Sequence, residues 1–282
     1  MGYGVRAVLV VALLALVCRW GVAQVGPRYV IELAGATAPA ASRGQLQLAG
    51  KGLVLVRFQD LRLLVVEADG EAYSQYAVRG WPAADLLLVL PASAGRYDGL
   101  APLRTLPDGM PVVVAEQGGA GAGDGAKDGA TAGAGAGPRW YPMQPWNALD
   151  LRKHGTRLRV TAMPGAAGTV AMAGYLIEVG NSRASYRLYA GAAGLTGVTG
   201  TTSATSATGA TGTTGATDAA GAPGAIGAAA AELARRLPGA DLALLPGQDG
   251  PQLLALNRGA PPAHVQPAAL TAAGHVFTPL RR

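Results

Sequence analysis

Eight short apolar runs constrain this chain more than any other feature. They are LVLVRF from Leu53, LRLLVVEA from Leu61, DLLLVL from Asp85, PVVVAE from Pro111, RLRVTAMP from Arg157, GYLIEVG from Gly174, YRLY from Tyr186 and DLALLPG from Asp241. Each is rich in Val, Leu and Ile and too short for an ordinary helix. Their apolar residues fall on odd and even positions alike, which predicts strands buried on both faces. Two segments carry a helical pattern instead. AIGAAAAELARRLPG, residues 225–239, ends in basic residues followed by Pro238 and Gly239, and a weaker pattern runs from Gln252 to Asn257. Strands covered by helices predict a layered α/β sandwich.

Two stretches interrupt the runs. Residues 118–137, GGAGAGDGAKDGATAGAGAG, contain nothing able to anchor a core and read as a disordered low-complexity insertion. Residues 191–229 keep a three-residue period of Gly with Ser203, Ser206 and Asp218 as interruptions and Pro223 as the lone proline. A collagen triple helix requires Gly at every third position and abundant proline, so this stretch too reads as a disordered insertion. What remains is on the order of 200 residues, enough for one domain with a substantial core.

The first 23 residues have Arg6, no acid, the apolar run AVLVVALLALVC and a small-residue end at Ala23, the pattern of a cleaved secretory signal peptide. A membrane anchor is the rival reading, but Arg19 ends the run short of the roughly 20 apolar residues a spanning helix needs. The expected location is secreted or the lumen of the secretory pathway, with an organellar lumen as the alternative. No stable membrane span is expected after cleavage. Cys18, the single cysteine, lies in that segment, which leaves residues 24–282 without a disulfide or thiolate metal site. The formal net charge is +6, yet the basic residues are dispersed and form no aromatic-basic stripe, so nucleic acid is not an expected partner.

The order of the runs resembles the metallo-β-lactamase superfamily. LAGKGLVLVRFQDLRLLVVEA, from Leu48, is similar to the family's opening hairpin, with Lys51 where a histidine is usual and Val66 where an aspartate is usual. ADLLLVLPASAGRYDGL, from Ala84, is similar to the strand and loop reading A-D-L-V-L-V-T-H-x-H-x-D-H, with Pro91, Ser93, Gly95 and Arg96 at the four signature positions. A register shifted by three residues places Asp98 on the family's aspartate instead. GYLIEVGNSRASYRLYAGAAGL resembles the hairpin ending Y-x-G-D-T, with Ala192 at the bridging aspartate, and APPAHVQP resembles the closing P-x-H segment, with His264 retained. The resemblance implies a four-layer αβ/βα sandwich in one domain over residues 24–282.

A dinuclear hydrolytic zinc site requires several converging His and carboxylate ligands and an open position for water. This chain has three histidines in all, and His154 in KHGT and His275 in GHVF read as a turn and a terminal residue. The resemblance therefore implies a pseudoenzyme, a non-enzymatic binding or structural module with no cofactor and no catalytic residues. Lys51, Ser93, Arg96 and His264 would surround the vestigial metal cleft and hold a small anion such as a carboxylate or phosphate. The alternative is a metal-dependent hydrolase with an atypical mononuclear zinc site, built from His264 with Asp98 or Glu67.

Overall fold

The computed structural model describes residues 27–34, 43–67, 75–91, 101–116, 137–165, 172–181, 184–191, 237, 239–245, 250–256 and 268–281. The expected signal peptide, residues 118–136 and residues 192–229 lie outside this set. Gly191, read from sequence as the start of an insertion, is instead the last residue of a strand.

The described residues form two mixed sheets packed face to face. One, sheet B, takes β2 (Gly44–Gly50), β3 (Leu53–Phe58), β4 (Leu61–Val66), β5 (Leu86–Val89), β6 (Pro111–Ala115), β7 (Arg139–Met143) and β15 (His275–Phe277) in the order β15-β2-β3-β4-β5-β6-β7. The other, sheet A, takes β1 (Tyr29–Leu33), β8 (Ala148–Lys153), β9 (Thr156–Pro164), β10 (Met172–Gly180), β11 (Ala184–Gly191), β12 (Leu242–Leu245), β13 (Gln252–Ala255) and β14 (Ala268–Ala269) in the order β1-β8-β9-β10-β11-β12-β13-β14. A last short strand, β16 (Leu280–Arg281), pairs with β11. All eight apolar runs are strands. In sheet B the doubly buried character holds, since β5 is buried at all four positions and β3, β4 and β6 have one break each.

The main core lies between the sheets and joins Val54, Val56, Leu63, Val65, Leu86 and Leu88 to Leu149, Leu158, Val160, Tyr175, Ile177 and Leu188. Burying each such aliphatic side chain contributes about 1.5–3 kcal/mol over leaving it in water. The alternate residues of the same strands, Leu55, Leu64, Val66, Leu87 and Val112, face the outside of sheet B. There they pack against Val78 of α1 (Gln75–Arg79) and Leu103 of a 3-10 helix (Ala101–Thr105). The outer face of sheet A has a smaller apolar cluster of Met163, Tyr189, Ala243 and Leu254, to which Leu237 and Ala240 also belong.

The helix-rich α/β sandwich expected from sequence is not what the described residues form. They are dominated by strands, and their helices are the five-residue α1 and the 3-10 helix. The segment from Gln252, read as helical, is strand β13, antiparallel to β12. Its consecutive leucines explain the error: Leu253 enters the main core and Leu254 the outer cluster, so the segment alternates across a sheet rather than presenting one helical stripe. Most of the other helical pattern, residues 225–236, lies outside the described residues.

A second reason lies in sheet A itself. Register places Asp150, Arg159, Glu178 and Arg187 side by side on adjacent strands, all on the outer face. The charges alternate in sign, with Arg157 Nη2 2.7 Å from the buried Asp150 carboxylate and Arg187 Nε 2.9 Å from Glu178. An ionic row of this kind offers little apolar surface for a helix stripe to bury.

Candidate functional site

Strand direction divides the sandwich into two rims. At the lower rim the start of β5 and the β3–β4 turn meet the β8–β9 hairpin. Lys153 Nζ donates to the Asp60 carbonyl at 2.8 Å and to both Asp85 carboxylate oxygens at 3.0 and 3.1 Å, and Thr156 is hydrogen-bonded to Gln59. At the upper rim the parallel strands β4, β5 and β6 all reach their carboxyl ends, at Glu67, Pro91 and Glu116. Such strand ends are where open sheets with parallel strands tend to bind ligands, because the chain can leave them in loops of free length and composition.

Lys51 belongs to this upper rim. It sits exposed in the turn between β2 and β3, and the next residue, Gly52, accepts a hydrogen bond at 3.0 Å from the Glu67 amide. Gly52 has φ 66°, a conformation that glycine takes without a Cβ penalty, so the turn closes tightly and holds Lys51 beside the end of β4. Val66 is fully buried in the outer cluster of sheet B, and Pro91 is buried at the end of β5. Ser93, Arg96 and Asp98 follow Pro91 but lie outside the described residues, as do His264 and Ala192. The structure therefore brings Lys51 and Glu67 to one rim and leaves the rest of the expected anion site undescribed.

The other histidines are elsewhere. His154 lies exposed in the β8–β9 turn, at the lower rim, with φ 45°. His275 pairs with Leu46 at the outer edge of sheet B. Among the described residues no three His, Cys, Asp or Glu side chains are grouped to hold a metal ion. Of the positions compared with the family, Lys51 and Val66 of the opening hairpin and Pro91, the one described signature position, supply a cation and two hydrocarbon side chains and no metal-ligating atom.

Several residues that the sequence reading did not single out also occupy the upper rim. Arg28 Nη1 pairs with Glu116 at 3.1 Å, and its guanidinium lies 5.2 Å from the Tyr29 ring centroid. Tyr29 donates to the Pro142 carbonyl at 3.1 Å and meets Tyr141 edge to face. Partial burial pushes the Tyr29 phenol above its usual pKa, against the opposing pull of Arg28. Trp146 occupies the third position of the turn Gln144–Asn147, with φ 70°, and is 60% exposed. The Asn147 amide closes that turn on the Gln144 carbonyl at 3.0 Å, and the Trp146 amide bonds Ala162 of β9 at 2.8 Å. An acid immediately after an apolar run, as in PVVVAE, was the available signal for Glu116, since it marks a strand's carboxyl end. Nothing local marks Arg28 or Trp146.

No protein-family model matches the chain, and no curated protein matches it. Similar solved structures include metallo-β-lactamase fold proteins. The YhfI protein of Bacillus subtilis, a metallo-β-lactamase fold protein, is 10% identical over 53% of this chain and 63% of its own, with a TM-score of 0.31. A B3 metallo-β-lactamase with an active-site glutamic acid is 18% identical over 57% and 64%, at 0.30. CmlA of Streptomyces venezuelae, a diiron β-hydroxylase, is 15% identical over 54% and 30%, at 0.28. The chain thus spans less than two thirds of each, and overlaps this loose do not carry those proteins' activities across.

Proposed function

We propose that this chain is a catalytically degenerate protein of the metallo-β-lactamase type, a binding or structural module that holds a small anion at the upper rim instead of metals. The observation that supports this reading is the chemistry of three described positions, Lys51 and Val66 of the opening hairpin and Pro91 after β5. Lys51 stands at the rim as a cation, and Val66 and Pro91 are buried without a ligating atom. A lysine ammonium presents three donors and a full positive charge, suited to a carboxylate or phosphate. Ser93, Arg96 and His264 complete the proposed anion site, Arg96 through the two-pronged guanidinium that matches an oxyanion. No catalytic role is assigned to any of them. The proposed location is outside the cell or in the secretory lumen.

One observation favours a second reading: Glu67 shares the rim with Lys51. A mononuclear site would use Glu67 or Asp98 with His264.

The test is elemental analysis of the purified protein after dialysis against zinc and manganese, followed by calorimetric titration with inorganic phosphate. The expected result is no stoichiometric metal, and phosphate binding that Lys51→Gln weakens about tenfold, the value of one charge-assisted hydrogen bond. One metal per chain, lost in Glu67→Gln or His264→Ala, would replace the anion reading with the mononuclear hydrolase.

A further inference from the structure

A second cationic feature lies away from the upper rim. Arg57 of β3 and Arg62 of β4 are direct cross-strand partners, so their side chains leave the same face of sheet B side by side. That face is the outer one, because Leu55 and Leu64, two residues along each strand, belong to the outer cluster. Both arginines are exposed. Directly opposed like charges destabilise a sheet, and the usual remedy is an acid between them. Here none is within ion-pair distance among the described residues.

Among the described residues, Asp60 of the β3–β4 turn and Asp85 at the start of β5 flank the pair, and both are turned to Lys153 on the other side of the lower rim. Asp85 does contact Arg62, but through the backbone amide, which donates to its carboxylate at 2.8 Å. The guanidinium of Arg62 is left out of that bond. Across β2 the residue facing Arg57 is the neutral Gln45. Arg79 and Arg104, both exposed, add charge to the layer that covers the same face, and no acid pairs with either among the described residues.

We infer that Arg57 and Arg62 form a second oxyanion site, for a phosphate or sulfate group, at the lower end of the outer face of sheet B. Cross-strand Cβ atoms stand roughly 5 Å apart, a spacing from which two guanidinium forks converge on one tetrahedral anion. Each fork supplies parallel N–H donors, and the anion between them converts a repulsive pair into an attractive one. The site is distinct from the Lys51 rim and does not depend on it.

The experiment uses the full chain with inorganic phosphate, and with glycerol 3-phosphate to distinguish a free ion from a phosphate ester. Unfolding midpoints and calorimetric affinities are measured against sodium chloride at equal ionic strength for wild type, Arg57→Gln, Arg62→Gln and Lys51→Gln. Phosphate is expected to raise the wild-type midpoint, and each arginine variant is expected to lose at least tenfold in affinity at a site that Lys51→Gln leaves unchanged. In chloride alone each arginine variant should melt no lower than wild type, and about 1–2 °C higher where repulsion is relieved. Retention in both arginine variants of the phosphate site that Lys51→Gln leaves unchanged, or no phosphate-specific stabilisation of wild type, would overturn the inference. A lower midpoint of both variants in chloride would also overturn it, since the arginines would then be stabilising structure rather than awaiting an anion.

Discussion

Replacing Phe277 with alanine is expected to remove a large part of the stability of this fold. The ring is 3% exposed and belongs to β15, which pairs with β2 at the edge of sheet B. It is stacked between Tyr186 of sheet A, at 4.5 Å and 23°, and Phe58 of sheet B, at 6.3 Å and 19°. Gly44 makes room for it, since a Cβ there would stand 2.1 Å from the ring. Three residues further on, β16 joins sheet A beside β11, so the ring lies where the C-terminal segment ties one sheet to the other. A buried Phe→Ala change costs about 3–5 kcal/mol, and two lost ring contacts favour the upper half of that range. The expected loss is therefore about 4 kcal/mol against a total of about 5–15 kcal/mol. At about 2–4 °C per kcal/mol, the unfolding midpoint should fall by about 8–16 °C. Urea unfolding followed by circular dichroism measures the loss, with Val276→Ala as the comparison. Val276 is 57% exposed on the same strand and should cost less than about 0.5 kcal/mol. A loss below about 1 kcal/mol for Phe277→Ala, or equal losses for both variants, would refute the packing of the C-terminal segment between the sheets.

Three further outcomes are expected. Lys153→Met leaves the Asp60 and Asp85 carboxylates, only 22% and 21% exposed, without their shared cation, and should cost about 2–3 kcal/mol in urea unfolding, with Asp85→Asn in the same background restoring part of it. Burial, with Asp241 adding to it, pushes the Tyr186 phenol from 10.0 up to about 12, so the folded state keeps a proton that the unfolded chain releases above pH 10. This phenol should therefore contribute nothing below pH 10 and a decline of at most about 1.4 kcal/mol per pH unit between 10 and 12, and Tyr186→Phe should reduce the slope in thermal melts by that share. Trp146→Gly should stabilise the fold by about 1 kcal/mol, because a mostly exposed tryptophan at φ 70° pays a left-handed backbone penalty that glycine does not, and a lower melting temperature would contradict this.

The strands of sheet B were legible because LVLVRF, DLLLVL and PVVVAE are apolar at successive positions, and only a strand between two packed layers accommodates that. The strands β1, β7 and β8 escaped because YVIEL, RWYPM and ALDLRK mix charged and apolar residues over too few positions to separate a strand from a loop. The segment at β13 was misread since two adjacent leucines fit a short helix as well as a strand, and the β12 ladder decided between them. Of the candidate site, Lys51 was singled out through the resemblance alone, and its place in a turn needed strand β2, GQLQLAG, which is not among the apolar runs. Its placement beside Glu67 depends on the antiparallel pairing of β3 with β4, and the alignment with the ends of β5 and β6 on two parallel pairings that no local pattern specifies.

By itself, then, the sequence determined where the chain must be extended and which side chains must leave water, because the two-residue period of a strand and the cost of exposing Val, Leu and Ile are local properties. Only the tertiary structure decided which strand lies beside which. That choice sets Arg57 against Arg62, shields Asp150 with arginines from β9, closes Lys153 onto carboxylates 68 and 93 residues away in sequence, and seats Phe277 between the sheets. Each of these contacts gains its energy only after long loops have closed, so it is a property of the assembled sandwich and not of any segment read alone.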